Sequence, residues 1–369
     1  MTTGKRPTSL RIQNAGFSRR EMLSSLSAAA ALSLARGSAL GAERDRPLMI
    51  PMPSVHWTQA KRIVGDHGQL SSDEIAKGFE VVSAIYNDFC LIQDHVGRWH
   101  CIGHVYWKEG RGIFHAVSDR IDGIYTFLPP LWTTYAHVDY GGYEIVAPSA
   151  FWKDDHTALM FHGYSGINDD SIRVSESTDP KLESWALKID PSTGRPYEFS
   201  HEMGDRDPEV FWDATRQIYI LYYVIGNGWK TDEEDNVLRA RTSTDLLHWS
   251  KPKTIMSSPP GYKSAESIFV VKNHGLFYLW VCGFDYGRMS LYVSEDPLNF
   301  GDPVENRIME QSGHAPQIVY VDGEYWMACV AIASKFGNAP AVHDLPGVYI
   351  QRMKWVEANS DMRKKVTMR

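Results

Sequence analysis

The chain has 369 residues, 12% aromatic and 22% charged, with a formal net charge of −7. Residues 1–42 hold six basic residues and one acidic one, so the remainder carries 32 basic and 44 acidic residues, a net of −12. That balance excludes the electrostatic footprint of a nucleic-acid binder or of a protein drawn to anionic membranes, and it favours a neutral or cationic small-molecule partner.

The N-terminal residues read as an export signal and stand outside the fold. The stretch FSRREML, residues 17–23, sets the pair Arg19 and Arg20 ahead of an apolar run of Leu, Ala and Ser from Met22 to Leu34. Small residues follow at Gly37, Ser38, Ala39, Gly41 and Ala42. The paired arginines point to twin-arginine export, cleavage after Ala39 or Ala42, and a periplasmic or secreted protein. An ordinary secretory signal that carries two arginines is the alternative. No other run reaches the ~20 apolar residues of a membrane span. Residues 1–42 are thus assigned to the signal, 43–78 to an N-terminal extension and 79–369 to the folded domain.

Beyond the extension the chain repeats one pattern five times: a polar start, an apolar strand, a turn rich in Gly, Asp and His, then a second aromatic-rich strand. In chain order the copies are NDFCLIQDHVGRWHCIGHVYW (87–107), APSAFWKDDHTALMFHGY (147–164), RDPEVFWDATRQIYILYYV (206–224), AESIFVVKNHGLFYLWVC (265–282) and APQIVYVDGEYWMACVA (315–331). Taking the residue before a proline-like position as a marker gives Asp88, Ala147, Asp207, Glu266 and Ala315, at intervals of 59, 60, 59 and 49 residues. A second signature follows three of the hairpins: Ser177, Ser243 and Ser294 each precede an Asp by two residues, and Trp185, Trp249 or Phe300 comes four to six residues after that Asp. The VSDR around Asp119 is a weaker copy. A unit of this size, holding one hairpin, a third strand and a variable outer strand, matches a four-stranded propeller blade. The sequence therefore predicts an all-β fold, a five-bladed β-propeller in a single domain.

The four cysteines, Cys90, Cys101, Cys282 and Cys329, lie in apolar strand-like runs without metal-type spacing. They read as buried thiols, with a Cys90–Cys101 disulfide as the alternative in an oxidising compartment. Radial repetition brings corresponding residues of different blades to one mouth of the central channel, so Asp88, Asp207 and Glu266 are expected to converge. Crowded carboxylates cannot all ionise freely; one becomes a proton donor while a neighbour stays charged. Cleavage of a glycosidic bond needs that division between an acid and an opposed carboxylate. Arg206 is expected either to hold an adjacent carboxylate ionised or to bind substrate.

The runs NDF followed by GRWH, RDPEVFWD and AESIFV resemble the three acidic motifs of the five-bladed propeller glycoside hydrolases, comprising families 32 and 68 and families 43 and 62. RDP is closer to the fructan-cleaving side, whereas AES and SGHAPQIV are closer to family 43. The first motif lacks the proline of the fructan families, and the chain ends at Arg369 with no room for their usual β-sandwich, so family 43 is the better match. The resemblance implies Asp88 as nucleophile or general base, Asp207 as transition-state stabiliser and Glu266 as general acid. It implies no required cofactor. His314 is similar to a channel histidine that in many family 43 members sits beside a metal ion, which raises a structural Ca2+ in the central channel.

Arg206, His314, Trp107 and Trp152 are expected to bind substrate, with Trp132 and Tyr164 as further aromatic candidates for stacking on sugar faces. His100 and His104 share a strand face without a carboxylate at metal spacing, and they read as hydrogen-bonding core residues. The implied function is an exported glycoside hydrolase acting on an oligo- or polysaccharide of arabinofuranoside, xyloside or fructoside type. A non-catalytic glycan-binding propeller and a glycosyl-transferring or phosphorolytic relative are the alternatives.

Overall fold

The computed structural model describes residues 47–65, 85–107, 110–133, 144–165, 171–199, 205–225, 237–259, 265–283, 288–331 and 347–367. The export signal and most of the extension lie outside the described residues. Two short strands come first, β1 (Met49–Pro53) and β2 (Lys61–Val64). Blade I then holds β3 (Ile85–Gln93), β4 (Trp99–Trp107), β5 (Gly110–Ser118) and β6 (Thr126–Thr133). Blade II holds β7 (Glu144–Trp152), β8 (Ala158–Ser165), β9 (Ser171–Ser177) and β10 (Ala186–Leu187), trailed by a small hairpin of β11 (Ile189–Asp190) and β12 (Arg195–Pro196). Blade III holds β13 (Arg206–Asp213), β14 (Ile218–Ile225), β15 (Val237–Ser243) and β16 (Lys253–Ser257). Blade IV holds β17 (Ala265–Asn273), β18 (Leu276–Gly283), β19 (Met289–Ser294) and β20 (Arg307–Gln311). Blade V holds β21 (His314–Val321), β22 (Glu324–Ala331) and β23 (Gly347–Glu357), and a short helix, α1 (Ser360–Lys364), follows it.

Each blade is an antiparallel meander, and each innermost strand touches the innermost strand of the next blade. The last of these contacts, between β21 and β3, closes the ring. Strand residues alternate between faces, and here both faces are covered, so beyond the polar start of each inner strand apolar residues enter the gaps on both sides. On β3, Phe89 and Leu91 enter the gap toward blade V while Cys90 and Ile92 enter the gap toward blade II. On β17, Phe269 and Val271 face blade V, and Ile268 and Val270 face blade III. Among the described residues the apolar side chains form five clusters, one in each gap between blades.

This alternation also disposes of the Cys90–Cys101 disulfide. Cys90 pairs with Ile102 and Cys101 with Leu91, so the two thiols point into different gaps, and all four cysteines are buried thiols outside any disulfide. The Ser-x-Asp signature proves to be a capped turn after the third strand. Ser177, Ser243 and Ser294 each accept the amide of the Asp two residues on. Those aspartates in turn accept amides further along: Asp179 from Lys181 and Glu183, Asp245 from Leu247 and His248, Asp296 from Leu298. Local side-chain capping of this kind fixes a turn without tertiary help.

The boundary at residue 79 needs correction. Strand β1 pairs with the C-terminal part of β23, from Met49↔Glu357 to Pro53↔Met353, and β2 pairs with its N-terminal part, from Lys61↔Ile350 to Val64↔Val348. Residues 49–64 are therefore the outer edge of blade V. No repeat marker precedes them, and only pairing with the far end of the chain defines them as strands. Ile50 and Ile63 anchor this edge in the gaps on either side of blade V, each 1% exposed. Truncating either to Ala should cost about 2–5 kcal/mol through lost burial and a residual cavity. Urea unfolding midpoints of Ile50→Ala and Ile63→Ala would measure it; unchanged midpoints would mean the edge adds nothing to the ring.

Candidate active site

Every inner strand carries a β-bulge at the same height. Pairing with the second strand skips a residue between Tyr86 and Phe89, Val146 and Ser149, Arg206 and Glu209, Glu266 and Phe269, and His314 and Gln317. A bulge puts two residues opposite one and re-aims the side chains beside it. Ala147, Asp207, Ser267 and Ala315, the first bulge residues of blades II to V, all have left-handed φ, between 47° and 55°. Such a conformation costs a non-glycine residue of the order of 1–2 kcal/mol and persists where surrounding structure fixes it.

The bulges correct the sequence alignment. Asn87, Ala147, Asp207, Ser267 and Ala315 are the equivalent residues, at intervals of 60, 60, 60 and 48. The marker had slipped by one in blades I and IV, which lack the proline present as Pro148, Pro208 and Pro316. Glu266 thus precedes its bulge, Asp207 is the first bulge residue of its blade and Asp88 the second. Three successive positions supply the three acids. Arg206, Glu266 and His314 share the position ahead of the bulge, on adjacent blades III, IV and V.

The acids nonetheless gather at the axis: Asp88 and Asp207 line a hollow walled by the bulge residues of all five blades, among them Pro148, Ser267 and Pro316, and Glu266 joins them through Arg206 and His314. Asp88, Asp207 and Glu266 are 9%, 5% and 4% exposed. Arg206 holds two of them: Nη1 donates to Glu266 Oε1 at 2.6 Å and to Asp207 Oδ2 at 3.2 Å, and Nη2 donates to the Ala265 carbonyl at 3.2 Å. The guanidinium is therefore paired with two of the acids at once. Its burial works against the charge, but Asp207 and Glu266 outweigh that and keep it firmly ionised.

Ser267 was not foreseen. Its amide donates to Asp207 Oδ2 at 2.9 Å, and its hydroxyl donates to Asp88 Oδ1 and lies 3.1 Å from His314 Nε2. The signal available in the sequence was the 60-residue interval from Asp207, hidden by the slipped marker. His314 is fully buried, with Nε2 3.7 Å from Asp88 Oδ1 and 3.8 Å from Glu266 Oε2. Its ring therefore faces the acids and Ser267. Among the described residues no group of three or more His, Cys, Asp or Glu side chains is arranged to hold a metal ion.

The remaining candidates lie elsewhere. Trp152 ends β7 remote from the bulge; its indole donates to the Gln93 carbonyl at 2.8 Å and stacks on His95 at 3.8 Å, joining the turns of blades I and II. The long side chain fills that gap and reaches no part of the hollow, so its assignment to substrate is withdrawn. Tyr164 is buried with the Arg173 guanidinium 3.4 Å over its ring. The side chains of Trp107 and Trp132 lie outside the described residues. His100 and His104 are buried core residues, and His100 bridges His115 at 2.6 Å and Asp94 at 3.1 Å.

Burial, partly offset by Arg206 and reinforced by Asp207 and Asp88, pushes the Glu266 carboxyl up to about 8. Burial and the Asp88 charge push Asp207 up to about 6 against the pull of Arg206 and the Ser267 amide. Asp88 is also raised by burial, with the Ser267 hydroxyl and Arg206 pulling it down. Among the described residues Glu266 Oε2 is buried and has no hydrogen-bond partner, so the site holds a carboxylic acid at neutral pH with one oxygen uncommitted.

The fold is similar to that of solved five-bladed propeller glycoside hydrolases of family 43. A thermostable family-43 glycoside hydrolase matches with a TM-score of 0.53 at 16% identity, over 75% of this chain and 95% of its own. The family-43 enzyme of Xanthomonas citri complexed with xylose matches with a TM-score of 0.52 at 11% identity, over 76% and 93%. A family-43 β-xylosidase/α-arabinofuranosidase from a compost microbial metagenome, in complex with xylotriose in a calcium-free form, matches with a TM-score of 0.51 at 15% identity, over 82% and 95%. No family model matches the sequence and no curated protein is significantly similar to it.

A carboxyl raised on folding favours the native state only while protonated, so stability falls as pH rises from the unfolded value of about 4.5 through the folded value of about 8. Glu266→Gln removes that penalty. Its melting temperature should therefore gain on the wild type as pH is raised from about 5 to about 9. Parallel thermal melting curves across that range would mean that Glu266 is already ionised at neutrality.

Proposed function

We propose that the protein is a glycoside hydrolase that cleaves an oligo- or polysaccharide by carboxylate acid–base chemistry. One observation carries the reading: Glu266 is buried with Oε2 making no hydrogen bond, tied to Asp207 through Arg206 and set with Asp88 around the His314 ring, so three carboxylates meet at the axis. Glu266 acts as general acid and passes its proton from Oε2 to the departing glycosidic oxygen. The carboxylate left behind is already paired through Oε1 with Arg206, so the charge formed in the step meets a fixed cation. Asp88, bonded to the Ser267 hydroxyl, serves as the base or nucleophile on the opposite side of the sugar. Asp207 stays close to Arg206 and tunes the other two through its charge.

The substrate class follows the fold relatives only as a proposal. Their complexes with xylose and xylotriose support a xyloside or arabinofuranoside, ahead of the fructoside that RDP had suggested. Export by a twin-arginine signal remains part of the proposal, supported by Arg19 and Arg20.

Glu266→Gln should lower kcat on unactivated oligosaccharides by about 10²–10⁴-fold, since the leaving group is no longer protonated. An aryl glycoside with a good leaving group should be hydrolysed with far less loss. Steady-state kinetics on xylo- and arabino-oligosaccharides beside nitrophenyl glycosides makes the comparison, and equal turnover of both substrates by both proteins would reject the acid. In the wild type the alkaline limb of kcat/KM should fall near pH 8, where Glu266 loses its proton. A profile flat to pH 10 would remove Glu266 from that role.

A further inference from the structure

Ser267 engages more of the site than any of the three acids does. It sits in blade IV, yet it reaches Asp88 of blade I and His314 of blade V through its hydroxyl and Asp207 of blade III through its amide. Its carbonyl lies 3.8 Å from the thiol of Cys282, whose sulfur also accepts the amide of Ala315 at 3.3 Å. The residue is 7% exposed and held at φ 50°, where a glycine would be free of strain. A serine kept in that conformation, with its amide, hydroxyl and carbonyl all engaged, is over-determined by its surroundings.

We propose that Ser267 is the positioning residue of the site, which holds Asp88 and Asp207 in fixed relation across the channel and keeps Asp88 ready to act as base or nucleophile. The proposal rests on the glycosidase reading for its kinetic consequence, though not for its geometry. The hydroxyl has one proton, and the ionised Asp88 is its acceptor; the serine oxygen in turn accepts from His314 Nε2 when that nitrogen carries a proton. The chain His314 to Ser267 to Asp88 therefore delivers polarisation from a fully buried ring to the carboxylate. Deleting the hydroxyl leaves Asp88 facing Arg206, Asp207, Glu266 and His314, with Glu209 also on the hollow, and without its closest hydrogen-bond donor. The ionised form of Asp88 then loses support.

Two variants separate positioning from folding. Ser267→Ala removes the hydroxyl and retains the strained side-chain carbon, whereas Ser267→Gly removes both. Ser267→Gly should melt at or above the wild-type temperature, because the left-handed backbone is relieved. Both should lose kcat by about ten- to a hundred-fold with KM little changed, since the misplaced carboxylate acts on the reacting centre. In both, the acid limb of kcat/KM should move to higher pH. The Asp88 carboxyl, followed by NMR in ¹³C-aspartate-labelled protein, should likewise titrate at higher pH than in the wild type. That last readout needs no turnover: a wild type inactive on every glycoside would defeat the functional reading while the titration still judged Ser267. Unchanged Asp88 titration in both variants would overturn the proposal. So would losses of kcat that simply track losses of melting temperature.

Discussion

The arrangement of the site depends on one backbone irregularity repeated around the ring. A propeller strand that ran without interruption would send alternate side chains into the two gaps beside it and leave little but backbone facing the axis. The bulge breaks that alternation at a single height, between residues such as Arg206 and Glu209, and turns one or two side chains of every blade inward. Because the five bulges are level, their side chains meet. Four of the first bulge residues occupy left-handed conformations that no isolated strand would choose. The ring of packed blades, with an apolar cluster in every gap, is what holds them there.

Once gathered, the groups contend with one another. Three carboxylates with single-digit exposure share one guanidinium, so their charge cannot be balanced in full. Burial and mutual repulsion favour protonation, and Arg206 and the Ser267 donors favour ionisation. Glu266 carries most of the mismatch: one of its oxygens is paired with Arg206 and the other makes no hydrogen bond among the described residues. Asp88 is raised by burial too, but a hydroxyl donor at close range pulls it back. The site therefore differentiates chemically similar side chains by their positions relative to the bulge.

Much of this was legible in the sequence. Five recurring hairpins and a Ser-x-Asp turn gave the blade count, because both are local devices: alternation buried on two faces, and a side chain that caps its own turn. The convergence of Asp88, Asp207 and Glu266 was also legible, though for a partly mistaken reason. The marker assumed that the acids shared one position, whereas they occupy three successive ones. Blades I and IV lack the proline that marks the bulge, and a bulge shifts register without any change in composition. Ser267 was hidden by that slip. Trp152 was misread because an aromatic at the edge of a strand has the same appearance whether it faces a ligand or fills a seam. Residues 49–64 carried no repeat signature, since their partner strand is β23, roughly three hundred residues away.

That distant pairing has a temporal consequence. A ribosome releases β1 and β2 early, but the strand that receives them, β23, emerges roughly three hundred residues later. Until then blade V has no outer edge, and the contact between β21 and β3 that shuts the circle lacks its support. The first blades can settle one upon another while the chain is still growing. The acidic cluster cannot be assembled in that period, because His314 and the bulge of blade V are among its walls. Assembly of the axial cluster is thereby tied to the synthesis of β23, and a chain broken off before that strand would lack the edge on which β1 and β2 close blade V.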